Sequence, residues 1–350
     1  MKTIEVCASR RYDVCIGSGL LPMLGHYTKT VCKASKVCIV SDSNVFPLHG
    51  QTAMDSLIAA GFEAIHFVFP AGEESKSGTV YLQLLNFLAE NQITRSDCLV
   101  ALGGGVVGDL TGFAAATFLR GIPFIQVPTT LLAAVDSSVG GKTAIDLPAG
   151  KNLCGAFYQP NLVLCDTDTL NTLPEEIFLD GCAEVIKYAI LYDAALFSYL
   201  TETGPDFDRE TIIARCVELK RNVVMEDEFD TGARMKLNLG HTIGHGVEAQ
   251  SNFTISHGKA VAIGMAIVAR AAAAIGICSH ETKEQIIAII QRFKLPTQTT
   301  YSADALLASA LSDKKRSGGT VNLIIPAAIG DCPIVPTPVT ELKSFIEAGL

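Results

Sequence analysis

Three of the chain's seven histidines fall close together in its second half, with a spacing that suits a metal ion. His241 and His245 are four residues apart, so a helix would carry both rings on one face, and His257 opens the next apolar stretch. Imidazole nitrogens are common ligands of zinc and related divalent cations. Taken singly, each ring could be a core or capping histidine, but the cluster and its flanking glycines favour metal ligands.

Glu184 is an acid within an apolar helical stretch, three residues before Lys187. A carboxylate buried there must be paired or must bind a metal, because ionisation without a partner is costly. Two interpretations therefore stay open. Glu184 either completes the histidine cluster as a third ligand, or it forms a salt bridge with Lys187 on the same face of the helix.

A run of glycines, Gly103 to Gly105, lies between two apolar segments. Glycine lets the backbone approach a pyrophosphate closely, and a helix that begins here would offer unpaired amide hydrogens. The pattern GxGxxG is matched as far as Gly108, but no acidic residue follows about 20 positions on to hold a ribose, so the usual Rossmann arrangement is disfavoured. Asp42 is the candidate ribose acceptor in a different dinucleotide arrangement, and a tight turn without a ligand is the alternative.

Two polar loops, at 128–130 and 135–143, follow later strand-like segments. Such loops lie at the edge of a parallel sheet where ligands usually bind. The second ends in Gly-Gly-Lys-Thr, but Asp136 stands where the Walker A pattern requires its first glycine, so an ATPase is disfavoured. What remains is an anion-binding loop supplied with Lys142, Lys151 and Asn152, or a plain glycine-rich connection.

Further cations flank the histidine cluster. If Lys220, Arg234 and Lys314 converge on it together with Lys142 and Lys187, the site would suit a substrate that carries a phosphate and a carboxylate. The short acidic run at 226–228 is interpreted as a solvated face.

The elements that must position these residues fall into two regions of different pattern. Up to about residue 170, short β-branched runs alternate with helical stretches, which predicts a parallel sheet flanked by helices. From Pro174 onward long helical patterns follow, with a late strand at 320–325. The predicted fold class is α/β. A Rossmann-like, parallel-sheet, NAD-binding domain is expected at 1–173, and a mostly α-helical, metal- and substrate-binding domain at 174–350.

Composition excludes several classes of protein. The 350 residues are 49% hydrophobic and 18% charged, which indicates two globular cores rather than disorder. A net charge of -9 argues against nucleic acid as a partner. Eleven cysteines, an odd number without a CxxC pair, are interpreted as free thiols in a reducing cytoplasm. The apolar run at 260–276 is interrupted by Arg270, so a buried helix is favoured over a membrane span, and no secretory signal is expected.

Taken together, these motifs resemble the 3-dehydroquinate synthase family, in order and along the whole chain. The segments that carry the resemblance are Glu73–Lys76, Gly104–Asp109, Pro128–Thr130, Gly141–Lys142, Lys151–Asn152, Thr172–Pro174, Ala183–Tyr188 and Leu237–His245. The chain departs from the family at Lys259, where an acid is usual, and it contains no tryptophan.

The resemblance implies three groups of site residues. Glu184, His241 and His257 would bind zinc or cobalt and leave open positions for substrate hydroxyls. NAD would be held by Asp42, Glu73, Lys76, Gly104, Gly105, Asp109, Thr129, Thr130, Lys142, Lys151 and Thr172. The substrate would meet Asp136, Lys142, Asn152, Lys187, Lys220, Arg234, Asn238, His245 and Lys314, with Arg120 supplied across a homodimer interface. The choice between Lys314 and Lys315 is left open.

The implied reaction converts 3-deoxy-D-arabino-heptulosonate 7-phosphate, a phosphorylated seven-carbon sugar acid, into 3-dehydroquinate and phosphate in the shikimate pathway of aromatic amino acid biosynthesis. It proceeds by transient oxidation with NAD, phosphate elimination, reduction, ring opening and aldol-type closure, and it makes the enzyme a carbon-oxygen lyase. His245 is the candidate for proton transfer, while the lysines and arginine hold the anionic ends.

Three alternatives accompany this interpretation. Another sugar phosphate cyclase would share metal, NAD and fold but take a different phosphosugar. A metal-dependent polyol dehydrogenase of the glycerol dehydrogenase kind would release NADH, and a small neutral polyol does not require so many lysines. A non-catalytic nucleotide sensor or scaffold would be expected to have lost ligands or lysines.

Overall fold

The computed structural model describes residues 1–314 and 319–350, with the side chains of 309–314 excepted. The chain forms two compact units. Unit 1 comprises Met1–Pro174 and Arg209–Phe229, and unit 2 comprises Glu175–Asp208 and Asp230–Leu350. The assignment of NAD binding to 1–173 and of metal and substrate binding to 174–350 stays a prediction. A single boundary near residue 174 does not separate the two compact units, because the segment at 209–229 belongs to unit 1.

Unit 1 is built on a seven-stranded sheet with the order β1-β2-β9-β6-β5-β3-β4. Its strands are β1 (Lys2–Cys7), β2 (Arg11–Gly17), β3 (Lys36–Asp42), β4 (Glu63–Phe69), β5 (Cys98–Gly103), β6 (Phe124–Pro128) and β9 (Leu162–Asp166). Every pair is parallel except β1 with β2. The predicted α/β fold class is confirmed, because the short β-branched runs form this sheet.

Both faces of the sheet are covered, which explains why its strands are apolar throughout. On β3, Val37 and Ile39 belong to one hydrophobic cluster, whereas Cys38 and Val40 belong to another. Successive side chains of a strand point to opposite faces, so a strand buried on both faces needs no alternation of polar residues. The helices of unit 1 are α1 (Leu24–Val31), α2 (Gln51–Ala59), α3 (Gly78–Glu90), α4 (Gly105–Thr117) and α7 (Arg209–Glu226).

Unit 1 contains a hairpin that the sequence pattern did not predict. The residues after the glycine-rich loop form β7 (Lys142–Leu147) and β8 (Gly150–Phe157), which pair in antiparallel fashion. Gly155 lies so close to β7 that a Cβ there would be 2.1 Å from Thr143 O. Gly155 therefore allows close packing of the two strands.

The acidic run at 226–228 is not simply a solvated face. Glu228 accepts hydrogen bonds from the backbone N of Ser9 at 2.8 Å, from Ser9 Oγ at 2.6 Å and from Gln159 Nε2 at 2.9 Å. These bonds tie the chain beyond α7 to the turn between β1 and β2.

Unit 2 is mostly helical. Its elements are α5 (Glu175–Tyr192), α6 (Ala194–Thr203), α8 (His241–Gln250), α9 (His257–Ala274), α10 (His280–Arg292), α11 (Ala303–Lys314), α12 (Val339–Gly349) and the antiparallel strands β10 (Thr320–Ile324) and β11 (Ile334–Pro338). The sequence pattern predicts one helix from Glu175 to Leu200, but Asp193 interrupts it. Its side chain accepts hydrogen bonds from Ala195 N and Leu196 N and so caps α6.

Glycine brings α8 and α9 into backbone contact. A Cβ on Gly264 would lie 2.0 Å from Gly240 O, and one on Gly244 would lie 3.0 Å from Ala260 O. Most of α9 is buried, as its run of small apolar residues predicts. Within 1–314 and 319–350 no helix is long and apolar enough to cross a membrane. All eleven cysteines are free thiols, as predicted, and most of them are buried.

Candidate active site

Three helices of unit 2 bring the predicted metal ligands together. Glu184 of α5, His241 of α8 and His257 of α9 each offer one ligand atom within 4.8 Å of the others. Glu184 Oε1 is 3.6 Å from His241 Nε2 and 3.6 Å from His257 Nε2. These distances are too long for hydrogen bonds, and they match donors that share one zinc-sized cation, which would lie roughly 3.3 Å apart around a tetrahedral ion.

The environment of Glu184 supports the same conclusion. Its side chain is fully buried, and neither carboxylate oxygen accepts a hydrogen bond from the described part of the chain. Oε2 forms an ion pair with Lys187 Nζ, which is 1% exposed. The salt bridge left open by the sequence is thus present, and the other oxygen faces the two histidines, where the alternative interpretation predicts a metal ion.

The surroundings of His241 favour the neutral form of its ring, which is the form that binds a metal ion. Its Nδ1 lies 3.1 Å from Leu239 O, so this nitrogen carries the proton and donates it, while Nε2 faces Glu184. Burial lowers the pKa of His241 well below its ordinary value, and the charge of Lys187 lowers it further. A neutral ring with Nδ1 engaged by a carbonyl presents its other lone pair to a cation.

His257 is held differently, between two carboxylates. Its Nε2 faces Glu184 and its Nδ1 lies 3.5 Å from Glu248 Oε2. Burial opposes protonation, but the contacts with Glu184 and Glu248 outweigh it and raise the pKa of His257 to about 10. Sequence reasoning gave no role to the buried Glu248; its position on α8, on the same helical face as His241, was the available signal.

The other residues predicted in unit 2 lie on the same elements. His245 is exposed on α8, with its ring centroid 5.6 Å from that of His241 and 6.3 Å from that of His257. Arg234 is buried and Asn238 half-buried on the short 3-10 helix that precedes α8. Lys314 ends α11, but its side chain lies outside the described residues, as does Lys315.

In unit 1 the glycine turn is the junction between β5 and α4. Gly104 is the N-cap of α4, and no side chain caps this helix. A Cβ on Gly104 would lie 3.1 Å from Thr130 Cγ2, and one on Gly105 would lie 3.3 Å from Ser137 Oγ. The buried hydroxyl of Thr129 has no hydrogen-bond partner in the described chain. Free amide hydrogens, small residues and an unsatisfied hydroxyl together fit a phosphate-bearing cofactor.

A polar group lies around Lys76, which is buried. Its Nζ forms an ion pair with Asp109 at 2.6 Å and donates to Asn152 Oδ1. Burial alone would lower the pKa of Lys76, but Asp109 and Glu73 raise it. Lys151 Nζ is 3.8 Å from Glu73 Oε1, so the structure brings five of the predicted residues together here.

Asn152 adopts a positive φ of 57° at the start of β8, and its backbone N donates to Asp146 Oδ1 at 2.8 Å. Left-handed backbone is unfavourable for most residues other than glycine, although asparagine tolerates it best. Asp146, which sequence reasoning missed, therefore fixes the strained residue that contacts Lys76.

The remaining predicted residues of unit 1 make other contacts. Asp42 Oδ1 accepts hydrogen bonds from Asn44 N and Val45 N, and Thr172 Oγ1 lies 2.9 Å from His49 Nε2. Lys220 Nζ donates to Asp136 O at 2.6 Å and also pairs with its carboxylate. Lys142 and Arg120 are exposed, and Arg120 has a φ of 66°.

The chain matches two family models and many curated relatives. Residues 66–180 match the model described as 3-dehydroquinate synthase N-terminal, and residues 181–316 match 3-dehydroquinate synthase C-terminal. The 3-dehydroquinate synthase of Streptococcus suis (strain 05ZYH33) is 43% identical over 343 residues, which cover 96% of this chain and 97% of that protein.

Two solved structures share the fold over almost the whole chain. 2-deoxy-scyllo-inosose synthase complexed with carbaglucose-6-phosphate, NAD+ and Co2+ has a TM-score of 0.90 at 26% identity, with 100% of both chains covered. ValA (2-epi-5-epi-valiolone synthase) from Streptomyces hygroscopicus subsp. jinggangensis 5008, with NAD+ and Zn2+ bound, has a TM-score of 0.88 at 25% identity, with 98% of both chains covered.

Proposed function

Because the chain belongs to the 3-dehydroquinate synthase family, we propose that it converts 3-deoxy-D-arabino-heptulosonate 7-phosphate into 3-dehydroquinate and phosphate. The observation that carries the proposal at the site is the position of Glu184. Its buried Oε1 accepts no hydrogen bond from the described chain and lies 3.6 Å from two imidazole nitrogens. A cation bound among these three atoms would satisfy the lone pairs of all of them.

The proposal includes a divalent cation and NAD. Glu184, His241 and His257 would hold zinc or cobalt, and the glycine turn with the group around Lys76 would hold the dinucleotide. The structures of the two similar cyclases contain NAD+ with Co2+ or with Zn2+. When bound, the cation supplies Lewis acidity at a substrate hydroxyl and the nicotinamide supplies a reversible hydride acceptor.

This chain's own cations bind and orient the substrate. Lys187 and Arg234 are almost fully buried in unit 2, and Lys220 is buried in unit 1. Lys187 is held at the carboxylate of Glu184 and Lys220 at that of Asp136, and the positive charge of these side chains would suit a substrate that carries a carboxylate and a phosphate. The other residues proposed to meet the substrate are Arg120, Asp136, Lys142, Asn152, Asn238 and Lys314.

His245 is proposed to move protons. Its ring is exposed and lies beside the two ligand histidines, so it can exchange protons with solvent and with a substrate held at the cation. The proton leaves a substrate carbon or hydroxyl and is accepted by a ring nitrogen of His245 or by the phosphate of the substrate.

Several broader properties belong to the same proposal. The enzyme is classed as a carbon-oxygen lyase because phosphate leaves by elimination and NAD is regenerated. A cytoplasmic location agrees with eleven free thiols, and a homodimer would allow the exposed Arg120 to reach a partner's substrate.

The test is phosphate release from the heptulosonate phosphate with NAD and added zinc or cobalt, with NADH absorbance recorded in the same cuvette. We expect phosphate release that requires the cation and only catalytic amounts of NAD, with no net NADH, and loss of this activity in His241→Ala. Net NADH formation on a polyol would instead identify a dehydrogenase. Turnover of another phosphosugar in place of the acid would identify a different cyclase.

A further inference from the structure

Helix α5 makes a second contribution to the metal centre, one turn before Glu184. Asp180 Oδ1 accepts a hydrogen bond from Ser256 Oγ at 2.5 Å and another from Lys259 N at 2.9 Å. Both donors belong to the N-terminus of α9, the helix that begins at His257. The helix that carries one ligand therefore binds the end of the helix that carries another.

Asp180 takes the place of an ordinary N-cap. Ser256 is the N-cap residue of α9, but its side chain does not accept a hydrogen bond from its own helix. Its hydroxyl donates to Asp180 instead, and the backbone N of Lys259, which an N-cap side chain usually binds, donates to the same carboxylate oxygen. A carboxylate at this position also interacts favourably with the positive end of the helix dipole.

The contact extends to the backbone of α5. A Cβ on Gly258 would lie 1.9 Å from Asp180 O and 2.7 Å from Asp180 C. Only glycine allows the two helices to approach this closely. Gly258, directly after His257, is thus fixed by packing, while Ser256 and Lys259 are fixed by hydrogen bonds.

His257 is the ligand that most needs such support. The side chains of Glu184, His241 and His257 are 0%, 13% and 34% exposed, respectively. His257 is also the first residue of its helix, where backbone amides lack intrahelical partners and the helix frays most easily.

We infer that Asp180 is a positioning residue that sets the distance between Glu184 and His257 by clamping the first turn of α9 to α5. The inference rests on the metal centre proposed above. Asp180 is not one of the three proposed ligands; it acts through Ser256 and Lys259, on either side of His257.

The experiment compares Co2+ binding to the full chain in four forms: wild type, Asp180→Ala, Asp180→Asn and Ser279→Ala. Ser279 is the N-cap of α10, where its Oγ accepts a hydrogen bond from Thr282 N at 3.0 Å, so its loss is a matched loss of a helix cap in the same unit. Three quantities are measured: Co2+ affinity by titration, the visible absorption spectrum of the bound Co2+, and thermal unfolding of the metal-free protein.

We expect Asp180→Ala to lower Co2+ affinity about 10- to 100-fold, as loss of a supporting group typically does, and to alter the Co2+ spectrum. Asp180→Asn keeps an oxygen acceptor for both donors and should restore most of the affinity and the spectrum. Ser279→Ala should lower the unfolding temperature by a similar amount as Asp180→Ala while leaving Co2+ binding unchanged. This combination separates positioning from general destabilisation.

Wild-type affinity and spectrum in Asp180→Ala would overturn the inference but leave the metal centre intact. A wild-type protein that binds no Co2+ would overturn the metal centre and the inference with it. If Asp180→Ala does not fold, Ser256→Ala carries the test, because it removes one of the two bonds to the carboxylate; a severalfold loss of affinity is expected, and unchanged binding would overturn the inference.

Discussion

Each unit buries a carboxylate, and the two are treated in opposite ways. In unit 1, Asp97 is 3% exposed and accepts four hydrogen bonds, from Ser35 N, Lys36 N, Thr94 N and Thr94 Oγ1, at 2.7 to 3.1 Å. In unit 2, Glu184 is fully buried and accepts none from the described residues.

The two environments indicate different roles for Asp97 and Glu184. Burial alone would raise the pKa of Asp97, but the hydrogen bonds from Lys36, Thr94 and Ser35 outweigh it and hold the pKa below its usual value. That carboxylate joins the starts of two central strands and stabilises the fold. Glu184 receives no hydrogen bond from the described chain, and its ion pair with Lys187 buries a second charge, so the pair contributes little to stability, which fits the cation-binding role proposed for Glu184.

The largest effect is expected when the buried ion pair of unit 2, Glu184 with Lys187, is replaced by neutral side chains. The double variant Glu184→Gln/Lys187→Met replaces both charges with neutral side chains of similar size. We expect phosphate release to fall about 1000-fold or more, equivalent to about 4 kcal/mol of transition-state stabilisation. The free energy of unfolding of the metal-free protein should stay constant or rise by about 1–4 kcal/mol, because a buried ion pair is often neutral or unfavourable for stability.

Urea unfolding and the phosphate assay check both halves of this prediction. The control is Glu184→Gln alone, which leaves Lys187 without its carboxylate and should destabilise the fold. A double variant that unfolds much more easily than wild type would mean that the pair is structural.

The reverse result is expected for Asp97→Ala. Removal of this carboxylate leaves three backbone N–H groups and a hydroxyl, in part-buried hydrogen bonds, without their acceptor, so the free energy of unfolding should fall by about 3 kcal/mol. Phosphate release per folded molecule should stay within about twofold of wild type at temperatures where the variant is folded. Chemical denaturation followed by circular dichroism measures the first quantity, and an activity loss comparable to that of the double variant would contradict the contrast.

A smaller effect is expected from Glu248→Gln, which tests the acid beside His257. The amide keeps the volume and a hydrogen-bond acceptor but removes the charge that favours His257 as a ligand, so Co2+ affinity should fall about 10-fold. Glu281→Gln, an exposed acid in the first turn of α10, is the matched control and should bind Co2+ like wild type. Equal affinity in Glu248→Gln and wild type would show that the charge has no influence on the ligand.

The smallest effect concerns pH. The folded-state pKa of Asp97 lies below the ordinary value of about 3.9, so its contribution to stability is fully present above that value and is lost as pH falls through the folded-state pKa. The stability gap between wild type and Asp97→Asn should therefore be constant from about pH 7 to about pH 5 and narrow as pH falls below about 4. Urea midpoints at a series of pH values measure the gap, and a gap that stays constant to pH 3 would mean that Asp97 is not responsible.

Local sequence pattern predicted most of the fold. The apolar runs that became β3 and β5 need no alternation, because both faces of the sheet are covered, and their β-branched residues and length distinguished them from helices. The hairpin of β7 and β8 was not predicted, because the close approach of Gly155 to Thr143 that joins its strands is not visible in the sequence. Asp193 ends a predicted helix through a side-chain cap that periodicity alone does not reveal.

The candidate ligands could be predicted from the sequence and the residues that support them could not, for a physical reason. Ligand types at helical spacing, such as His241 and His245, are visible in a sequence. The roles of Asp180 and Glu248 depend on which helices pack together, since each acts on a residue of another helix. Sequence also left Glu184 between two interpretations. The three-dimensional arrangement shows that one oxygen pairs with Lys187 and that the other lies near two histidines, where a ligand is predicted.

The insertion of α7 into unit 1 has a consequence for biosynthesis. Unit 1 is completed only when residues 209–229 have been synthesised, after α5 and before α8 and α9. On the ribosome, Glu184 therefore emerges well ahead of the two histidines that surround it. The candidate ion-binding cluster cannot assemble until His257 has been synthesised, and a chain truncated directly before His257 would contain the whole of unit 1 but an incomplete set of candidate ligands.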